Sequence, residues 1–245
     1  EVKALLTNNI KSIDYDNAII QEYSLLTIGR AYDDSGIEYI RKCLDSSYPN
    51  VVRAAILVLG WLGDMPSKER IYSFLNEGQA RAEAAGASIA LLSDDDDVAK
   101  LAKLAQSGSS ELRQIVAGVL SLINGNEAFD VLVNMLKNEG DNEVRKVLAR
   151  RVSYFNKPEA TELLVKLLND SYKPVQEAAA AGLERTGLRG HEDLILQKIT
   201  EGGWIGYFAV KALGKTCSEE SSSKLISTYD KMDPSIKLAI VEVLG

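Results

Sequence analysis

The sequence is poor in the residues that enzymes most often use for proton transfer and metal binding. It has one histidine, His191, and two cysteines, Cys43 and Cys217, in 245 residues. Catalytic triads and zinc sites need histidine or several cysteines held against other polar groups, so this scarcity excludes most of them. The cysteines form neither a CxxC pair nor a disulfide framework, which favours a reducing compartment. We therefore expect a cytoplasmic protein.

Long apolar runs and an excess of positive charge are also missing. No apolar run reaches the roughly 20 residues needed to span a bilayer, and no signal-type segment opens the chain. The 28 basic residues are outnumbered by 35 acidic ones, which gives a net charge of −7. This balance opposes a surface that follows nucleic-acid phosphates along its whole length. We expect no membrane partner, and nucleic acid is a disfavoured one.

The sequence does contain a repeat. Residues 49–60, PNVVRAAILVLG, return near the end as residues 234–245, PSIKLAIVEVLG, and weaker copies lie between and before them. Their first apolar positions form a ladder with steps of 30 to 32 residues, and position 81 is the poorest match. The ladder is Ile20, Val51, Arg81, Leu112, Val144, Val175, Ile205 and Ile236. Positions within a copy are given below as offsets from this residue.

A second ladder has the same spacing and marks a partner helix. In the first ladder, apolar or small residues recur at offsets 0, 3, 4, 7, 8 and 11, the stripe of a helix with one buried face. One pair of helices cannot bury both stripes, so the copies must stack. The pattern predicts an all-α solenoid of about eight two-helix repeats that forms one domain over residues 1–245. The second ladder is Ile40, Ile71, Leu101, Leu132, Leu164, Ile195 and Ile226.

The ends of the sequence suggest a longer protein. The chain starts at Glu1 rather than at Met, and it stops at Gly245 within an apolar helical pattern. Terminal repeats of solenoids normally carry a polar outer face. We therefore expect flanking segments.

The best copies resemble a known family. Residues 52–64, VRAAILVLGWLGD, are similar to HEAT repeats, and more narrowly to the short HEAT-like repeats of phycobilisome lyases; residues 175–187 are the next best copy. The resemblance covers the chain from about Ala4 onward and implies a right-handed α-α superhelix of the HEAT/armadillo type. It implies little about function, because such repeats serve bilin attachment, protein assembly and transport. A single His-Glu pair, His191-Glu192, argues against the di-iron hydroxylases of this fold, and an acidic chain with two tryptophans argues against its DNA glycosylases.

The run Asp94-Asp95-Asp96-Asp97 is the most conspicuous acidic feature. Four carboxylates could attract Ca²⁺ or Mg²⁺. The run lies, however, between a helix that ends near Leu92 and one that begins near Val98. Aspartates at such a position cap free amides and complement the helix dipole, so the run predicts a helix start, with a metal site or a partner contact as the alternatives.

Other chemically suggestive residues have structural interpretations. His191 precedes a helix in a glycine-rich turn, which predicts an exposed or capping residue. Cys43 occupies a position that is apolar in the other copies, which predicts packing. Gly29, Gly60 and Gly214 share one offset and are expected to allow close helix packing rather than to bind phosphate. The sequence thus predicts no catalytic residue, no metal and no cofactor.

The resemblance also implies where a partner would bind. In HEAT-like arcs the second helix of each pair lines the concave side, so offsets 2, 6 and 10 of the first ladder are expected to form the contact surface. Copies two to four place apolar residues there, and tryptophan is enriched at interface hot spots. Copies five to seven place basic and aromatic residues there. The apolar half is Leu57, Trp61, Leu91 and Leu122; the basic half is Lys146, Arg150, Tyr154, Arg185, Tyr207, Lys211 and Lys215.

Each half has an alternative interpretation. A flanking segment or the curvature of the solenoid could cover the apolar half, and salt bridges to neighbouring repeats could neutralise the basic half. Arg151 stands at offset 7, where other copies have small or apolar residues. It must either extend into the groove or pair with a carboxylate.

These surfaces favour a non-enzymatic protein-binding scaffold. Its partner would be a protein or peptide, extended or helical, with acidic and apolar segments. The resemblance implies one alternative, a bilin lyase or a chaperone of tetrapyrrole attachment. Nucleic-acid binding by the basic half is a further alternative.

Overall fold

The structure, a computed structural model, describes residues 4–5, 8–9, 15–123, 125–188, 190–215 and 218–245. Within these residues all regular elements are helices, which confirms the predicted all-α fold. Contacts between Cα atoms divide the chain into two compact units, residues 1–123 (unit 1) and 124–245 (unit 2). The prediction of one uninterrupted solenoid remains a prediction. No helix in the described ranges has both the length and the apolarity needed to cross a bilayer.

Unit 1 consists of alternating short and long helices. Short 3-10 segments extend α2 and α4, at Cys43–Asp45, Met65–Ser67 and Phe74–Asn76. The helices are α1 (Tyr15–Arg30), α2 (Ile37–Lys42), α3 (Pro49–Trp61), α4 (Lys68–Ser73), α5 (Gln79–Leu91), α6 (Asp97–Ser107) and α7 (Ser110–Ile123).

Unit 2 contains eight described helices, and their lengths alternate less regularly than in unit 1. A 3-10 segment, Tyr229–Lys231, follows its fourth even-numbered helix. Its helices are α8 (Asn126–Asn138), α9 (Asn142–Val152), α10 (Pro158–Leu167), α11 (Lys173–Thr186), α12 (Glu192–Ile199), α13 (Gly203–Gly214), α14 (Glu219–Thr228) and α15 (Pro234–Leu244).

Both units are stacks of helix pairs. Each odd helix packs against the next odd helix of its unit, and each even helix packs against the odd helix that follows it. Every position of the first ladder lies in an odd helix, and every position of the second lies in an even helix. The two ladders therefore identified the two helices of each repeat correctly.

The ladder positions form the cores, with three exceptions. Most are almost fully buried, as Val51, Leu132 and Val175 are. Ile20 and Ile226 are exposed; α1 has one odd neighbour among the described helices and α14 one even neighbour, so each has a side without a packing partner there. Arg81, the poorest match, instead folds back to hydrogen-bond the carbonyl of Glu77 at 2.9 Å and pairs with its carboxylate at 3.1 Å.

Small residues at the ninth offset allow the odd helices to approach closely, as predicted. A Cβ added to Gly60 would lie 2.6 Å from Ser88 Cβ, and one added to Gly214 would lie 2.7 Å from Val243 Cγ1. Ordinary carbon contacts are about 3.5–4.0 Å, so neither site has room for a side chain.

The aspartate run begins a helix, and it also anchors a buried network that the sequence did not reveal. Helix α6 starts at Asp97, whose Oδ2 accepts a hydrogen bond from the Asp94 amide at 2.7 Å. Asp97 is buried and also accepts hydrogen bonds from Lys68 Nζ at 2.9 Å and from the Tyr72 hydroxyl at 2.6 Å. The network joins α4 to the start of α6 and satisfies a charge that would otherwise be costly to bury.

Candidate functional site

The predicted contact surface is accessible in both units. Every residue at offsets 2, 6 and 10 of the odd helices is exposed or half-buried within the described residues. In unit 1, Leu91 and Leu122 are 59% and 63% exposed, whereas Leu57 and Trp61 are half-buried. The Trp61 ring packs on the preceding odd helix, so closely that a Cβ added to Gly29 would lie 2.8 Å from Trp61 Cε3. The two leucines are therefore the more accessible part of the apolar half.

Unit 2 contains a cleft between three successive odd helices. It has a volume of about 550 Å³. Four of the predicted residues lie together in its lining, namely Lys146, Arg150, Tyr154 and Arg185. The rest of the lining comprises Ser153 from the end of α9, Pro174, Glu177, Ala178, Ala181 and Gly182 from α11, and Trp204 and Phe208 from α13.

Two of the predicted cations are neutralised by neighbouring carboxylates. Lys146 pairs with Glu143 one turn earlier in α9. Lys211 Nζ pairs with Glu242 of α15 at 2.5 Å, and this hydrogen bond raises the pKa of the lysine. The predicted alternative, a salt bridge to a neighbouring repeat, therefore applies to Lys211, whereas Lys146 is neutralised within its own helix.

Two arginines of the basic half have no such carboxylate partner. The side chains of Arg150 and Arg185 are exposed, and no carboxylate among the described residues forms an ion pair with either. Lys215 Nζ donates a hydrogen bond to the carbonyl oxygen of Arg185 at 3.2 Å. On the contact face of unit 2, Arg150 in α9 and Arg185 at the end of α11 therefore carry positive charge that no carboxylate of the described residues neutralises.

The Tyr154 ring lies beside these cationic side chains. The Arg185 guanidinium carbon lies 4.3 Å from the centroid of this ring. A hydrogen bond from Arg185 lowers the pKa of the Tyr154 phenol; partial burial opposes this shift, and the charges of Arg185, Arg151 and Arg150 add to it. The Arg151 guanidinium carbon lies 5.9 Å from the same ring, so this half-buried arginine extends towards the cleft.

An aromatic cluster forms the other side of the cleft. Trp204 is 62% exposed, and its ring stacks on Phe208 with centroids 5.8 Å apart and an interplanar angle of 26°. Tyr207 meets both rings edge-on, at 5.8 Å and 5.4 Å. Such offset-stacked and edge-to-face contacts stabilise aromatic groups beyond simple burial, so the exposed indole is held by neighbours within its own helix.

Small residues keep the cleft open between these two sides. Ala178, Ala181 and Gly182 of α11 lie between the cationic and aromatic groups. A Cβ added to Gly182 would lie 3.0 Å from Ser153 Cβ, which shows how closely α9 and α11 approach. Helix α11 thus contributes mainly small side chains to the cleft, and Glu177 is its one charged lining residue before Arg185 at its end.

The sequence prediction missed Trp204 and Phe208. They occupy offsets −1 and 3, and offset 3 belongs to the apolar stripe that was expected to be buried. The sequence did contain one signal, the large size of Phe208. Apart from Tyr23, the other copies have alanine, valine or isoleucine at offset 3. Helices pack about 8–10 Å apart, which leaves too little space to cover a phenyl ring completely at a position that alanine fills elsewhere.

The cysteine and the histidine play no visible part in this cleft. Cys43 is buried and accepts a hydrogen bond from Gln21 Nε2 at 3.7 Å, and burial raises the pKa of its thiol to about 11. This supports the packing role. His191 is the N-cap residue of α12 and is half-buried, without a side-chain capping bond. Cys217 lies outside the described residues.

No metal centre emerges from the described part of the chain. There, no group of three or more histidine, cysteine, aspartate or glutamate side chains is placed to hold an ion. In the aspartate run, Asp94 and Asp97 both bind Lys68 Nζ, Asp94 at 2.5 Å. Their carboxylates already have a cation, and it is an ammonium group.

Comparison with known proteins supports the fold. The chain is similar to a structure of the complex of CpcE and CpcF of phycocyanin lyase from Nostoc sp. PCC7120, with 17% identity, a TM-score of 0.50, and coverage of 98% of this chain and 94% of the other. It also matches a designed armadillo repeat protein in complex with the peptide (KR)4, with 18% identity, a TM-score of 0.32 and 98% coverage of both chains. No protein-family model and no curated protein sequence matches it. The chain therefore shares the HEAT-like helical-repeat fold of the lyase structure.

Proposed function

We propose that this protein is a non-enzymatic scaffold that binds a protein partner through the face that its odd helices form at offsets 2, 6 and 10. The observation that carries the proposal is the cleft of unit 2, where Arg150 and Arg185 lack carboxylate partners among the described residues and Trp204 is exposed nearby. Arginine and tryptophan are the residues most enriched at interface hot spots. Their proximity on an exposed surface therefore favours a role in partner binding.

The accessible leucines of unit 1 form a second proposed contact. Leu91 and Leu122 are exposed near the ends of α5 and α7. Unit 1 has two cations at these offsets: Arg53, in the odd helix before α5, pairs with Glu22 at 2.5 Å, and Arg30 lies farther along the stack, in α1. Contact with unit 1 would therefore be mainly apolar, and contact with unit 2 mainly ionic and aromatic.

Partner capture with charge-reversed variants tests the proposal. A lysate of the source organism is passed over the native chain, over Arg150→Glu/Arg185→Glu, and over Leu91→Ser/Leu122→Ser. The matched control is Lys137→Glu/Lys166→Glu, which makes the same charge change at exposed positions of α8 and α10. We expect a protein that the native and control chains retain and that the arginine variant loses. Equal retention by all four chains would refute the proposed surface.

Tetrapyrrole handling is a second candidate, which the phycocyanin lyase in the similar complex suggests. The cleft offers guanidinium groups for propionates and aromatic rings for a conjugated system. Adding a bilin to the purified chain tests this function, because binding shifts the absorption of the chromophore. An unchanged spectrum, together with no chromophore transfer when bilin and acceptor protein are co-expressed with the chain, would exclude it.

A further inference from the structure

The cleft of unit 2 changes its chemistry from one side to the other. Helix α9 contributes Arg150, the turn after it contributes Tyr154, and Arg185 joins them from the end of α11. Helix α13 contributes Trp204 and Phe208 instead, with no charged residue in the lining. A ligand that fits both sides must be equally asymmetric, with negative charge at one end and an apolar group at the other.

The cationic side suits carboxylates. Guanidinium groups bind carboxylates through paired, parallel hydrogen bonds, which are stronger than neutral ones. The cations that the fold already neutralises, such as Lys146, add little further attraction. This leaves two guanidiniums, enough for one or two acidic side chains.

The aromatic side suits one bulky apolar side chain. The exposed face of Trp204 is supported by Phe208 beneath it, so the platform is already in place before a ligand binds. Preorganised contact surface costs little conformational entropy on binding. Leucine or an aromatic residue would bury the most area there.

The helix spacing sets the distance between the two ends. Neighbouring packed helices lie about 8–10 Å apart, so α9 and α13, which are separated by α11, are about 16–20 Å apart. An extended peptide rises about 3.3 Å per residue, which makes this span equivalent to about five or six residues. The floor of Ala178 and Ala181 leaves room for a backbone to cross α11.

We propose that the cleft binds a short extended peptide segment with one or two acidic residues at one end and a large apolar residue about five positions away. The proposal rests on the scaffold function above and specifies its ligand. A single-stranded nucleic acid fits less well, because Glu177 stands in the middle of the cleft and Glu143 beside Lys146, where both would repel a continuous phosphate backbone.

Blocked, fluorescent hexapeptides of one composition test the order of the groups. Two peptides have a pair of glutamates at one end and leucine at the other, in the two chain directions; a third has leucine between the glutamates. A mixed-sequence oligonucleotide is the nucleic-acid probe. Binding is measured by fluorescence anisotropy with the native chain, Arg150→Glu/Arg185→Glu, Trp204→Ala and the control Lys137→Glu/Lys166→Glu. All substituted side chains are exposed, and circular dichroism verifies folding.

We expect one end-separated peptide to bind the native and control chains about tenfold more tightly than the mixed peptide, which corresponds to one well-made contact. Charge reversal should abolish this binding. Changing the leucine of the peptide to glycine should weaken binding to the native chain but not to Trp204→Ala, because the contact is already missing in that variant.

Three results would overturn the proposal: equal affinity for all three peptides, no peptide binding, or salt-sensitive binding of the oligonucleotide alone. The lysate experiment separates this failure from failure of the scaffold function. If a captured protein still depends on Arg150 and Arg185 while the peptides do not discriminate, the scaffold function stands and the ligand class is wrong. If capture ignores both arginines, the proposed site itself is wrong.

Discussion

Replacing Gly60 with alanine should destabilise unit 1, although alanine is the better helix former. The new Cβ would lie 2.6 Å from Ser88 Cβ and Oγ and 2.9 Å from Ser88 Cα. Restoring a normal carbon contact requires α3 and α5 to separate by roughly 1 Å. A rotamer change cannot relieve the clash, because Ser88 Cα belongs to the backbone and Ser88 Oγ is held by the carbonyl of Ile56 at 2.9 Å.

The magnitude follows from two opposing terms. Overpacking costs about 1–3 kcal/mol, and alanine gains about 1 kcal/mol over glycine inside a helix. The difference is a loss of about 0–2 kcal/mol. Because the overlap includes backbone at Ser88 Cα, we expect the upper half of this range, about 1–2 kcal/mol, which lowers the melting temperature of a chain of this size by about 2–8 °C. Thermal unfolding followed by circular dichroism measures this change.

A double-mutant cycle tests the cause of the loss. Ser88→Gly alone should also destabilise the chain, because it removes a helix-favouring side chain and its hydrogen bond. Combined with Gly60→Ala it should restore the space between the helices, with a coupling free energy of about 1–2 kcal/mol. Gly140→Ala is the control, since a Cβ there meets no atom within 4 Å; its change should stay within about 0.5 kcal/mol. A Gly60→Ala chain as stable as the native one, or a coupling near zero, would refute the close-packing argument.

Three further predictions concern buried polar groups. Tyr72→Phe leaves Asp97 Oδ1 without its 2.6 Å hydrogen bond and should cost about 1–3 kcal/mol in chemical denaturation; an unchanged midpoint would contradict the network. Asp170 accepts a hydrogen bond from Arg145 Nε at 3.1 Å. Partial burial raises the pKa of the Asp170 carboxyl, but the hydrogen bonds from Arg145 and from the Tyr172 amide outweigh this effect, so the pKa is lowered. This carboxylate therefore stabilises the fold above the ordinary aspartate pKa, and Asp170→Asn should flatten the acid limb of the pH–stability curve. Maleimide should label Cys43 slowly at pH 8, because its pKa is about 11 and it is buried; mass spectrometry of that peptide showing rapid labelling would exclude a packed thiol.

The helices could be predicted from the sequence because their signal is periodic. Burial repeats every 30 to 32 residues along each ladder, as at Val144, Val175 and Ile205, and each copy supports the assignment of the others. The close-packed glycines were predictable for the same reason. Arg81 was visible as the weakest copy, but its contact with Glu77 was not.

Part of the site follows from the sequence once the stacking of the odd helices is known. Residues at the same offset in consecutive odd helices are neighbours. Glu22 and Arg53 share offset 2 and form an ion pair, and Lys211 and Glu242 share offset 6 and do the same. At offset 6 the residue that follows Arg150 is Ala181, which cannot neutralise it.

The sequence by itself determined the helix pairs, their stacking period and the residues that face solvent, because apolar spacing along the chain is sufficient to specify a buried stripe. Only the tertiary structure decided which solvent-facing residues are free to bind a ligand. Lys146 pairs with Glu143 in its own helix rather than with Glu177, which has the same offset in the next odd helix. Trp204 is exposed and stacks on Phe208. These outcomes depend on side-chain reach and on the space between helices some 30 residues apart in the sequence, and a pattern of residue types does not encode either distance.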